Sequence, residues 1–320
     1  MQLSFFLPSE TSVIGIFFNK QAIFTTDMIH ASIRKYLAQL LAEKLKRPIS
    51  SLEFFSVGGG SINHTYQIIA GSDKFFLKLN IAAKYPALFE KEKNGVEFIG
   101  NKKIMLTATT VDIGIIDDQQ FLLLNWIEEG LRTDLFWKKF GEQLAKLHHV
   151  TNEHFGFTED NYMGALPQIN NFKTNWIDFF IDCRLKPQIK MAVEKRLLQS
   201  GNISKFEKLC LRLESIFNHE KPSLLHGDLW GGNFMCNEKA EPVLIDPAVY
   251  FGYRSMDLAM TTLFGGFDKR FYESYNYHFP FPANYNEQWE ICNLYPLLIH
   301  LNLFGAGYLG QIETVLRRFD

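Results

Sequence analysis

The spacing of apolar and polar positions changes along the chain. In Ile29–Leu45, residues Ile33, Leu37, Leu40, Leu41 and Leu45 fall on one stripe, the period of an amphipathic helix. Beyond Pro48 the period shortens. Leu52–Val57, Thr65–Ala70 and Lys74–Leu79 are brief apolar runs separated by Gly58-Gly59-Gly60 and Gly71-Ser72-Asp73, a pattern that predicts strands joined by turns. A helix follows at about 87–99, then strand-like segments ending in Phe121–Ile127. From about residue 131 helical periodicity dominates, with Leu135, Phe136, Phe140, Leu144, Leu147 and His148 near one face. Longer helices are predicted over 171–198 and 202–217. The pattern therefore predicts an α+β chain in two parts: a small antiparallel β-rich lobe with a helix over 28–127, and a larger, mainly helical lobe over 128–320. Glu128-Glu129-Gly130 forms the joint. Residues 1–27 carry no basic n-region, and Pro8 and Glu10 interrupt their first apolar run, so they read as an extension ahead of a natural start at Met28.

Composition narrows the classes. Of 320 residues, 47% are hydrophobic and 21% charged, which excludes wholesale disorder. Lys plus Arg number 33 against 35 Asp plus Glu, a net charge of −2 that gives no reason to expect nucleic acid or an anionic membrane as partner. The apolar runs are too interrupted to span a bilayer; even Leu294–Leu309 contains His300 and Asn302. The four cysteines stand far apart with no Cys-x-x-Cys pair. That argues against a disulfide framework or zinc site and fits a reducing cytoplasm.

The candidate chemistry is concentrated in Leu224-Leu225-His226-Gly227-Asp228-Leu229-Trp230-Gly231-Gly232-Asn233 and Val243-Leu244-Ile245-Asp246-Pro247. Phe234–Cys236 and Val243–Ile245 flank a turn-like polar stretch. Paired as a hairpin with Cys236 facing Val243, they set Asn233 opposite Asp246, beside Asp228. Asn233 and Asp246 offer the hard oxygens that Mg²⁺ takes while it bridges phosphates. Asp228 is left to orient a substrate hydroxyl and accept its proton, as in kinase catalytic loops. Each of the three is singly explicable as a turn residue; together they point to phosphoryl transfer.

The smaller part carries matching features. Gly58-Gly59-Gly60-Ser61 lies between strands, not between a strand and a helix, so it is neither a dinucleotide fingerprint nor a Walker loop, but a glycine-rich turn able to approach phosphates closely. Lys78 interrupts the apolar Phe75–Leu79, where an unpaired ammonium is expensive to bury. On the 87–99 helix, Glu92 shares the phase of Leu88, Val96 and Ile99, whereas Glu90 and Glu97 point elsewhere. Glu92 is thus the predicted partner of Lys78, and such a pair holds a lysine toward the α- and β-phosphates of ATP. His148, His149 and His154 lack a metal-ligand cluster. His226 reads as an organiser of the loop, and Asp257 as an N-terminal cap that braces it. No Gly-x-Ser-x-Gly elbow supports serine hydrolysis.

These residues resemble the fructosamine kinase family (ketosamine kinases), a branch of the aminoglycoside and choline phosphotransferases with a protein-kinase-like fold. The match rests on Leu224–Asn233, Ile245–Tyr250 and Asp257–Met260, with weaker echoes in Gly58–Ser61, Phe89–Val96, Gly141–His148 and Phe179-Phe180 with Arg184-Leu185. It implies a bilobal kinase that uses ATP and Mg²⁺ to phosphorylate the 3-hydroxyl of a ribulosamine, erythrulosamine or fructosamine, free or protein-bound, in deglycation repair by a monomer. Carried over residue by residue, Asp228 is the base, Asn233 and Asp246 the metal ligands, and Lys78 with Glu92 the nucleotide-positioning pair. Asn125-Trp126-Ile127 is then the adenine hinge and Trp230 a stacking platform for the sugar. Two positions depart from the family pattern: Ser255 replaces a carboxylate, and Asn125 stands where Glu or Asp is common. Both bear on substrate positioning and leave the chemical residues intact. The competing readings are a kinase of another hydroxylated amine (an aminoglycoside or choline-like) and a silent nucleotide-binding protein on the same scaffold. Which residues of 160–190 and 264–310 line the acceptor pocket is left open.

Overall fold

Alternation of buried and exposed residues builds the first half of the chain. In the computed structural model, which describes residues 29–58 and 62–319, α1 (Ala31–Lys44) precedes strands β1 (Glu53–Ser56), β2 (His64–Ala70) and β3 (Asp73–Ile81). Helix α2 (Leu88–Gly100), β4 (Leu106–Thr107), β5 (Thr110–Ile116) and β6 (Gln119–Asn125) follow. The predicted extension 1–27 and residues Gly59, Gly60 and Ser61 of the glycine loop lie outside the described residues. Strands β1, β2, β3, β6 and β5 form, in that order, an antiparallel sheet. Ile33, Leu37 and Leu41 of α1 cover one face, against Tyr66, Ile68, Leu77 and Leu79. Leu88 and Phe89 of α2 pack on the other with Leu122 and Leu124. With both faces covered, β6 is apolar throughout its centre rather than alternating.

The second half is mainly helical. It runs through α3 (Asp134–His148), the hairpin β7 (Asn161–Met163) and β8 (Leu166–Gln168), α4 (Trp176–Phe179), α5 (Lys186–Glu194), α6 (Ser200–Cys210) and α7 (Leu213–Ile216). Strands β9 (Ser223–Leu225), β10 (Phe234–Cys236), β11 (Pro242–Leu244) and β12 (Tyr250–Gly252) lead to α8 (Ser255–Leu263), α9 (Lys269–His278), α10 (Tyr285–Cys292), α11 (Leu294–Phe304) and α12 (Leu309–Leu316). Phe136 and Phe140 of α3 pack with Phe234, Phe267 and Phe271; each buried ring contributes about 1.5–3 kcal/mol. Gly141 lets α3 meet α9 closely, since a Cβ there would lie 2.3 Å from the Phe271 carbonyl oxygen.

Two predicted helices are broken. Over 171–198, a π-helical turn, Phe180–Leu185, separates α4 from α5. Pro187 has no N–H to donate to the Cys183 carbonyl, which instead accepts from Arg184 Nη1 at 3.0 Å. The 202–217 segment divides at Leu211-Arg212 into α6 and α7, and Leu211 is left outside the apolar stripe. At the predicted joint, Gly130 N–H donates to the Cys236 carbonyl at 2.8 Å, and a Cβ at Gly130 would collide with Asn237. No helix among the described residues is long and apolar enough to cross a membrane, and Cys183, Cys210, Cys236 and Cys292 are free thiols.

Candidate active site

The loop after β9 is held by side chains buried beneath it. Gly227 adopts φ +85°, and a Cβ there would lie 2.0 Å from the Ala248 carbonyl oxygen, so only glycine fits. Asp257, in the first turn of α8, accepts the backbone N–H groups of His226 (2.7 Å) and Gly227 (2.8 Å). It therefore braces the loop as expected, but by capping the loop's amides rather than those of its own helix. His148 Nε2 lies 3.2 Å from the same carboxylate, and its Nδ1 2.7 Å from the Tyr275 hydroxyl. His226 Nδ1 accepts from the Asp228 N–H at 3.2 Å, so Nε2 carries the proton and donates to the Ile245 carbonyl at 2.9 Å. Burial pushes its pKa down and keeps this tautomer neutral. One imidazole thus ties the Asp228 loop to the strand that carries Asp246.

The hairpin register differs by one residue from the sequence expectation. Phe234 pairs with Leu244, Met235 with Val243 and Cys236 with Pro242, which puts Asn233 opposite Ile245 rather than Asp246. The Ile245 N–H donates to the Asn233 carbonyl at 3.1 Å. The cause is an odd connection: Asn237 pairs with Glu241 across Glu238-Lys239-Ala240, with Ala240 at φ +54°. Asp246 comes immediately after the paired stretch, itself at φ +54°. That left-handed turn brings its carboxylate back to the cluster, where Asp228, Asn233 and Asp246 line one cavity. Asn233 Nδ2 donates to the Asp228 carboxylate (2.9 Å) and carbonyl (2.8 Å), which leaves its Oδ1 for another partner. Burial, with Asp246 and Asp257 nearby, pushes the Asp228 pKa up to about 7 despite the Asn233 hydrogen bond.

Lys78 meets Glu92 at 2.8 Å and also bonds to Asp246. Its side chain is 4% exposed, so burial opposes its charge; the Asp246 and Glu92 carboxylates outweigh that and hold it protonated. For Glu92 the balance runs the other way: burial is the largest effect, and its pKa rises to about 7. Helix α2 meets the Asp246 segment through Gly95, which faces Pro247 and Val249, and the loop before β7 through Asn94, bonded to Glu159 at 3.0 Å, and Lys91, bonded to the Asp160 carbonyl. Gly58 is exposed. Val57 and Thr65 close the base of its loop, and Asn80 Nδ2 holds Asn63 at 2.7 Å.

The cavity, about 200 Å³, runs from Glu92, Asp228, Asn233 and Asp246 to Trp230, His300 and Phe304. The Trp230 ring covers Gly232, where a Cβ would lie within 2.4–2.9 Å of ring carbons, and meets Phe264 edge-on at 5.9 Å. Phe264, His300 and Phe304 were not singled out by sequence, because aromatic residues in or beside apolar helices read as core. Asn125-Trp126-Ile127 lies at the end of β6, apart from this cavity's lining. The Asn125 and Trp126 amides donate to Thr109 (2.9 Å) and Lys74 (3.3 Å), leaving Ile127 as the position of the three without such a bond among the described residues.

A buried Lys–Glu pair under a five-stranded antiparallel sheet, facing an Asp–Asn–Asp cluster on a mainly helical body, is the arrangement of a phosphotransferase with a protein-kinase-like fold that uses an alcohol acceptor. The sequence itself places the chain more closely. It belongs to the fructosamine kinase family, whose sequence model matches residues 33–319. The chain is 34% identical to a protein of Synechocystis sp. named as a probable ketoamine kinase, covering 88% of this chain and 95% of that one. It is also 34% identical to the chloroplastic protein-ribulosamine 3-kinase of Arabidopsis thaliana, covering 82% and 80%. A crystal structure assigned as a fructosamine-3-kinase of Haemophilus somnus superposes with a TM-score of 0.79 at 26% identity, covering 88% of this chain and 96% of that one.

Proposed function

We propose that this protein transfers the γ-phosphate of ATP to the 3-hydroxyl of a ketoamine sugar such as ribulosamine, erythrulosamine or fructosamine, in the repair of glycated amines. The carrying observation is the cavity itself. At one end Asp228 is tied to Asn233 and lies beside Asp246; at the other, Trp230, Ile299, His300, Leu303 and Phe304 form a wall with no carboxylate. A polycationic aminoglycoside needs acidic subsites, whereas a sugar on a single amine suits aromatic faces and one base.

In this reading the chain up to Ile127 holds the nucleotide and the remainder supplies the base and the acceptor pocket. Lys78, fixed by Glu92, positions the α- and β-phosphates, with Ile127 facing adenine; the Gly58–Ser61 stretch is the predicted phosphate-approaching turn, of which Gly59, Gly60 and Ser61 lie outside the described residues. Asn233 Oδ1 and Asp246 would hold Mg²⁺. Their fit is chemical: the Asn233 N–H groups are directed to Asp228, Asp246 meets Lys78 through Oδ1 and carries a second carboxylate oxygen, and two protein oxygens suit an ion otherwise bound by phosphates and water. When bound, that ion neutralises charge on the β- and γ-phosphates. Asp228 orients the acceptor hydroxyl and takes its proton, a task for which a pKa near neutrality is suited. Trp230 stacks on the sugar.

A substrate panel with MgATP tests this: ribulose- and fructose-derived lysine adducts, an aminoglycoside and choline, followed by ADP release. Turnover of the ketoamines alone is expected. Turnover of the aminoglycoside or choline, with none of any ketoamine, contradicts the assignment.

A further inference from the structure

Large aromatic side chains near the acceptor end of the cavity are left open to water: Phe264 is 41% exposed and Phe304 53%. Packing gives no reason for this, since burying each would contribute about 1.5–3 kcal/mol. They are grouped around one polar side chain. The His300 ring centroid lies 4.8 Å from that of Phe264, 5.5 Å from Phe304 and 5.1 Å from Tyr308. His300, Phe304 and Trp230 line the same cavity as Asp228.

The hydrogen bonding of the ring is one-sided. Nδ1 lies 2.7 Å from the Pro296 carbonyl oxygen, one turn back on α11. A carbonyl only accepts, so Nδ1 carries the proton. Burial pushes the pKa down, so the ring is neutral at pH 7 and Nε2 is a bare acceptor. The cavity that His300 lines is mixed: the apolar Met163, Ile299 and Leu303 share it with Asn63, Lys91 and Asn161.

We infer that His300 is a specificity-determining residue that reads the substrate's amine: Nε2 accepts its N–H, with the Trp230 and Phe304 rings flanking the charge. The inference rests on the ketoamine reading and identifies what distinguishes such a substrate from a plain ketose. In a 1-amino-1-deoxyketose only the C1–C2–C3 segment separates the nitrogen from the 3-hydroxyl oxygen. A hydroxyl held at Asp228 therefore keeps the amine inside this cavity. An ammonium there requires an acceptor or aromatic faces, and a neutral imidazole among aromatic rings supplies both.

The experiment compares a ribulosamine adduct of lysine with its 1-O-alkyl counterpart, in which an ether oxygen replaces the nitrogen, on wild type, His300→Phe and His300→Gln. His300→Phe is expected to raise KM for the amine about tenfold, the scale of one charge-assisted hydrogen bond. The values of kcat, KM for ATP and KM for the ether should stay within about twofold. His300→Gln, whose amide oxygen can replace Nε2, should restore most of the amine KM. An unchanged amine KM, an equal rise for amine and ether, or a fall in kcat alone would overturn the inference. If wild type phosphorylates no ketoamine, the functional reading fails. Calorimetric binding of the same two compounds still decides on His300: about tenfold weaker amine binding to His300→Phe supports it, and equal binding refutes it.

Discussion

Asn233 is joined to Asp228 by two hydrogen bonds from one amide nitrogen, at 2.8 Å to the backbone carbonyl and 2.9 Å to the carboxylate. The first fixes the turn and the second orients the carboxylate, so one side chain sets both geometry and charge. Asn233→Asp replaces that donor with a carboxylate facing a carboxylate. We expect kcat to fall by about 10²–10³ and the Mg²⁺ concentration for half-maximal rate to rise, measured by steady-state kinetics across a Mg²⁺ series.

Asp228 gives a pH signature in stability. Its folded pKa, raised to about 7 mainly by burial, stands above the ordinary carboxylate value, so the folded state binds the extra proton between roughly pH 4 and 7. Stability is lost as pH rises through that window. Asp228→Asn removes the loss. Without Mg²⁺ or nucleotide, it should raise Tm at pH 8 by the equivalent of roughly 1–2 kcal/mol and have little effect at pH 4. Thermal melts at the two pH values check this. A uniform shift at both would mean that the carboxylate is not desolvated.

Lys78 bridges two carboxylates, so the three positions are not equivalent. Glu92→Gln leaves the Asp246 contact and should raise KM for ATP about tenfold with modest loss of stability. Lys78→Met leaves Glu92 and Asp246 without their shared cation. It should cost about 3 kcal/mol of stability and abolish most turnover, read by denaturant titration alongside kinetics.

Gly232 supports Trp230 rather than the phosphates. Gly232→Ala places a methyl where ring carbons would be 2.4–2.9 Å away, so the indole must move. The acceptor KM should rise about tenfold while the affinity for ATP, measured by calorimetry, stays within twofold.

Much of this was readable from periodicity. A helix with Glu92 in phase with Leu88 and Val96 can place its carboxylate only toward the sheet, and Lys78 in an apolar strand needs that partner; both meet as the spacing requires. The Asp228–Asn233–Asp246 cluster was legible as a set but not in its register. The connection hinges on Ala240 at φ +54°, where no glycine advertises a left-handed residue, and a one-residue difference exchanges every pair. Pro187 is visible in the sequence, yet the π-turn before it depends on where Arg184 finds its carbonyls, which is a tertiary matter. The aromatic wall escaped for a related reason: apart from His300 and Asn302 α11 is almost wholly apolar, and nothing in its spacing separates Phe304 at the cavity from a residue of the core.

In the proposed function Asp228 activates a ketoamine hydroxyl beside bound MgATP. The most direct measurement compares wild type and Asp228→Asn, following ADP formation with a ribulosamine–lysine adduct and ATP affinity by calorimetry. A loss of about 10³ or more in kcat with ATP affinity within twofold is the predicted result. Comparable turnover by the two proteins would contradict the account.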